Sequence, residues 1–108
     1  MKLDELLKKV PGYEKESDRD EIILAIRSMK RMMSSISDRI EKLLHYNSPA
    51  GENDRNAFLP NLDRHEQRAA VQAIIEYWRK EREAVRRDYT NLLIRVFGFE
   101  VEDAKWCQ

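Results

Sequence analysis

The chain is poor in the residues that break or cross-link regular structure. Its 108 residues include three glycines, three prolines and one cysteine, Cys107. So few breakers, beside 37% charged and 42% hydrophobic residues, favour long amphipathic helices over sheet or disorder. A lone cysteine excludes an internal disulfide framework and makes a cytoplasmic, or otherwise reducing, compartment the expectation. No apolar run approaches the roughly 20 residues of a membrane span. The opening "MKLDELLKKV" carries acids and lacks the hydrophobic region of a signal peptide. Net charge is absent as well: 20 Lys and Arg balance 20 Asp and Glu. No global field therefore draws the chain to nucleic acid or to an anionic membrane.

Chemistry-bearing constellations are also missing. There is no phosphate-binding glycine loop, no paired carboxylates with a plausible cleft and no nucleophile beside a base. Cys107 has no base near it in sequence. His45 and His65, with Glu41 and Glu66, do not match a ligand pattern: "EKLLH" is one step too long for Glu-x-x-His, and "HEQRA" lacks a zincin's second histidine. No catalytic residue, cofactor or metal site is expected, and the chain reads as a non-enzyme.

What is present is helical periodicity. Leu3, Leu6, Leu7 and Val10 share one face of a short helix over 1–11, closed by Pro11-Gly12. Such a helix is too short to persist unless it docks. Capping-box spacing at Ser17–Asp20 and Asp18–Glu21 predicts a long helix over 18–46. There Ile22, Ile26, Met29, Met33, Ile36, Ile40 and Leu43 alternate steps of four and three, a heptad seam that Ile23, Ala25, Met32 and Leu44 widen. The segment 47–62, with Asn47, Pro49, Gly51 and Pro60, reads as a loop, longer than most helix connections, with "AFLP" at 57–60 as an apolar anchor.

Asp63 and Glu66 have capping-box spacing and Gly98 is a stop, which predicts a second long helix over 63–98. Its seam runs Val71, Ile75, Trp78, Arg82, Val85, Tyr89, Leu92, Val96 and on to Phe99, with Arg82 the single polar member. At ~1.5 Å per residue the two helices measure roughly 40 and 50 Å. The fold class is therefore all-α: one domain, 1–108, built as an antiparallel helical hairpin. Leu92, Leu93, Val96 and Phe97 offer a dock for the short N-terminal helix. The tail 99–108 is apolar enough to dock as well.

Residues 77–89, "YWRKEREAVRRDY", sharpen the functional question. At 100° per residue, Trp78, Val85 and Tyr89 share the seam, Arg79 and Arg86 form one shoulder, and Glu81 and Asp88 the other. Bundle helices use such flanks to choose register and partner. A single-strand-binding surface instead exposes rings among cations, so packing is the leading reading. Arg82 either pairs with an acid or lays its stem on the core and sends its guanidinium to water.

Two faces this wide cannot cover each other fully. The leading expectation is a protein-interaction or assembly module that closes into a four-helix-type bundle by dimerising, or by pairing with another helical protein. The surplus positions are Ile23, Met32, Leu44, Ile74 and Tyr77. The alternative is a small nucleic-acid-binding protein using Arg79, Lys80, Arg82, Arg86 and Arg87, with Arg27, Lys30 and Arg31 adding positive charge.

Overall fold

The computed structural model describes residues 3–98. They are 83% helical, with no strand among them. Helix α1 spans Leu3–Leu7, α2 Glu16–Tyr46, α3 Glu52–Phe58 and α4 Arg64–Phe97, and a 3-10 turn, Pro49–Gly51, stands before α3. Helices α2 and α4 touch as a long hairpin. The all-α class and the hairpin thus follow the heptad seams. The tail, with Trp106 and Cys107, lies outside the described residues.

Contacts gather the chain into two compact units. One holds the residues up to Met32 together with those from Val85 onward; the other is Met33–Ala84. Both boundaries fall inside long helices, where the seams give no signal.

In the first unit Leu3, Leu7, Ile26, Tyr89, Leu92, Leu93 and Val96 are buried. All lie on the apolar faces read from sequence. Helix α1 is shorter than 1–11 because its last turn gives way to turns closed by Lys9 N–H to Leu6 O (3.2 Å) and Val10 N–H to Leu7 O (3.0 Å). Gly12, at φ 95°, makes the reversal that an L side chain resists. Arg19 holds this link: its Nε donates to Asp4 Oδ1 (3.0 Å) and its Nη1 to Tyr13 O (3.0 Å) and Glu14 O (2.8 Å). Two segments too short to fold alone are thereby pinned to α2 by one guanidinium.

In the second unit the core is Ile36, Ile40, Leu43, Val71 and Ile75. The N-terminus of α4 is a complete capping box. Glu66 N–H donates to Asp63 Oδ1 (2.8 Å), and Asp63 N–H donates to Glu66 Oε1 (3.2 Å). At the other end, Gly98 takes φ 78° and donates to Ile94 O (2.7 Å), an αL stop within the first unit.

The segment 47–62 is not the loop its prolines and glycine imply. Pro49 sits in the first turn of the 3-10 piece, where a missing N–H costs nothing. Glu52 and Asp54 then begin α3, favoured by the positive end of its dipole. Leu59 N–H to Arg55 O (2.9 Å) closes it before Pro60. Breakers placed at helix ends shape this connector instead of dissolving it.

Candidate interaction face

The connector is locked to the second unit by buried polar groups. Arg55 is 1% exposed and Gln67 3%. Arg55 Nε donates to Gln67 Oε1 (3.2 Å) and its Nη1 to Tyr46 O (3.1 Å), an orphan carbonyl at the end of α2. Gln67 Nε2 in turn donates to Leu59 O (2.8 Å) and Leu62 O (3.1 Å). Glu52 accepts from Arg64 Nε at 3.2 Å and stands 3.9 Å from Arg55 Nη2. Asn47 Nδ2 reaches Arg68 O at 3.2 Å. Gly51 is buried so close to α2 that a Cβ there would collide with the His45 carbonyl oxygen.

This lock sets Phe58 against Tyr46, ring centroids 5.3 Å apart. Lys42, one turn before Tyr46, holds its ammonium 5.9 Å from the Tyr46 ring. Arg39, three residues before Lys42, stands 4.7 Å over Trp78. Trp78 meets Tyr77 edge to face at 5.1 Å. On α2 the steps 39–42–46 of three and four stay on one stripe. Phe58, Tyr46, Lys42, Arg39, Trp78 and Tyr77 therefore make one row, two rings at each end and two cations between them. Tyr77 is 55% exposed and Phe58 44%, while Tyr46 and Trp78 are half-buried. Cations over ring faces contribute about 0.5–1 kcal/mol each at exposed sites. Their larger effect here is to fix the rings in place.

The surplus positions scatter more than the sequence implies. Tyr77 is in this row, and Ile74, half-buried, precedes it by three residues on α4. Leu44 is 45% exposed but lies ~160° round α2 from Lys42 and Tyr46, on the far side of the helix from the row. Ile23, half-buried, and Met32, 51% exposed, belong to the first unit.

The basic shoulder is divided too. Arg79, Lys80 and Arg82 lie in the second unit, Arg86 and Arg87 in the first. Arg79 Nη1 is 3.3 Å from Glu76 Oε1, an oxygen that also accepts from Gln72 Nε2 at 2.9 Å. Arg82 is half-buried and pairs with no carboxylate among the described residues; its Nη1 donates to Ser37 Oγ at 3.3 Å. Ser37 is correspondingly half-buried, unlike exposed Ser34 and Ser35. Between Met33 and Ala84, eight Lys and Arg face nine Asp and Glu, so that unit has no surplus charge to attract phosphate.

His45 Nε2 lies 3.1 Å from Asp54 Oδ2, both exposed, at the connector. Among the described residues, no three His, Cys, Asp or Glu side chains converge closely enough to hold a metal ion. No helix among them is long and apolar enough to cross a membrane.

The sequence reading missed Arg55, Gln67 and the pairing of Arg39 with Trp78. A charged residue between Pro49 and Pro60 looks like loop polarity until its burial is known. Compared with protein-family models, curated proteins and solved structures, the chain finds no match.

Proposed function

We propose that the chain acts by binding protein, without catalysis, and that its first partner is a second copy of itself. The observation that carries this reading is the ring–cation row of the second unit, with Tyr77 and Phe58 open to solvent and Arg39 and Lys42 seated on half-buried rings. Aromatic and arginine side chains held in place are the groups that dominate protein interfaces, because little side-chain entropy remains to be lost on binding. A twofold contact centred on Tyr77 and Trp78, the ring pair at one end of the row, places ring against ring, with cation to acid at the rim, where Glu76 and Glu81 stand exposed.

The nucleic-acid alternative draws less support. Arg79 and Arg82 already have partners within the chain, and acids match the cations around them. The reading is tested by molar mass from light scattering over a wide concentration range. A dimer at micromolar concentration is expected. A folded monomer at every concentration rejects self-association, and steeply salt-dependent binding to single-stranded or duplex probes would shift the function to nucleic acid.

A further inference from the structure

The first unit contains a groove of about 480 Å³, a size at which small molecules are held. Leu6 of α1, with Lys9, Val10 and Pro11 just after it, forms one wall. Arg95, Val96 and Phe97, in the last turn of α4, form the other. Apart from Lys9 and Arg95, each of these side chains is hydrocarbon. Pro11 is exposed, and Leu6, Val10 and Phe97 are only half-buried, so the apolar lining stays open to water. Lys9 and Arg95 are exposed, and among the described residues neither pairs with a carboxylate.

An apolar trough with two free cations at its rim has a definite complement. A peptide would bring backbone N–H and C=O groups onto hydrocarbon side chains that cannot pair them. An alkyl chain brings none. The negative end of the α4 dipole stands at the same edge, but it amounts to roughly half a charge against two full ones. The local field therefore favours an anion. We propose that the groove binds one free single-chain anionic amphiphile, a fatty-acid-like carboxylate. Its alkyl chain lies along Leu6, Val10, Val96 and Phe97, and its carboxylate meets Lys9 and Arg95. The arginine fork matches a carboxylate, and the lysine adds a point charge beside it. The groove and the ring row belong to different units, so this site is independent of self-association.

The test is an NMR titration of the full chain with octanoate, decanoate and dodecanoate, each kept below its micelle concentration. Saturable shifts of the Leu6, Val10 and Val96 methyls are expected, with those of Val71 and Ile75 unmoved. Each added methylene should tighten binding about threefold, as burial of alkyl surface requires. Decyltrimethylammonium should bind roughly tenfold more weakly than decanoate, since both cations then repel the head group. Lys9→Glu with Arg95→Glu should invert that preference. Both positions are exposed, and a chain that had merely unfolded could not acquire the opposite preference. Absence of a saturable shift with all three carboxylates overturns the proposal. So does equal binding of the two head-group charges, or an unchanged preference in the reversed chain. Binding to phosphatidylglycerol vesicles without any response to monomeric carboxylate would make the groove a membrane contact and overturn it as well.

Discussion

Arg55 Nε donates to Gln67 Oε1 at 3.2 Å, and both side chains are almost wholly buried. Through this contact, twelve residues apart in sequence, the connector is fastened to the first turns of α4. Gln67→Leu removes the acceptor for Arg55 and both donors to Leu59 and Leu62 carbonyls. A cost of about 1–3 kcal/mol is expected, the usual penalty for stranding buried polar groups. Urea denaturation measures it; an unchanged midpoint would mean the network contributes nothing net.

Gly51→Ala tests the close approach to α2. The added methyl meets backbone atoms of His45 and Tyr46, which cannot swing aside as a side chain can. Destabilisation of about 1–3 kcal/mol is expected from overpacking. The Tyr46–Phe58 contact should loosen with it, visible as changed ring shifts of Phe58.

The capping box gives a pH dependence. The Glu66 N–H, donating to Asp63, holds the Asp63 carboxyl below its ordinary value. A carboxylate whose folded pKa is depressed stabilises the fold above its unfolded pKa, ~3.9 for Asp. That contribution fades as pH falls through the lower, folded value. Asp63→Asn should therefore flatten the loss of stability below about pH 4, while Asp63→Ala should also lower the midpoint at neutral pH. Equal acid sensitivity in all three chains would exclude the cap as a source.

Asp4 behaves likewise in the first unit. The Arg19 hydrogen bond lowers its carboxyl pKa, with Lys8 adding to the effect. In acid, Asp4 protonates and releases Arg19 from one partner, and stability falls in the same direction. Asp4→Asn should raise hydrogen exchange in α1 and the turn after it, leaving Val71 and Ile75 protected. Uniform acceleration across the chain would show that α1 is not a separately opening segment.

Tyr77→Glu and Leu44→Glu separate the faces. Both residues are exposed, so each variant should fold. Tyr77→Glu should weaken self-association at least tenfold, by placing a charge on the ring row. Leu44→Glu, on the far side of α2 from that row, should leave it within twofold. Sedimentation equilibrium distinguishes them, and the opposite ranking would move the interface to the Leu44 side.

The helices were legible because their signals are local and repeated. Seven apolar positions from Ile22 to Leu43, spaced four and three, leave one orientation that buries them. Asp63, Glu66 and Gly98 mark ends by chemistry acting within a turn. The connector was not legible in the same way. Pro49, Gly51 and Pro60 report where a helix stops, and that is compatible equally with a loop and with two short helical pieces set end to end.

Trp78 shows the limit most clearly. Its place on the seam is a matter of 100° steps, but its half-burial under Arg39 depends on a residue 39 positions away in the chain. The sequence by itself determined the all-α class, the long helices, their apolar stripes and their caps, since each rests on interactions spanning at most a few residues. Tertiary structure alone decided that Arg55 is core, that Arg82 bonds to a serine, and that two cations stand between two pairs of rings in one row. Those outcomes depend on which distant groups share a volume closed to water, and only the packed hairpin specifies that.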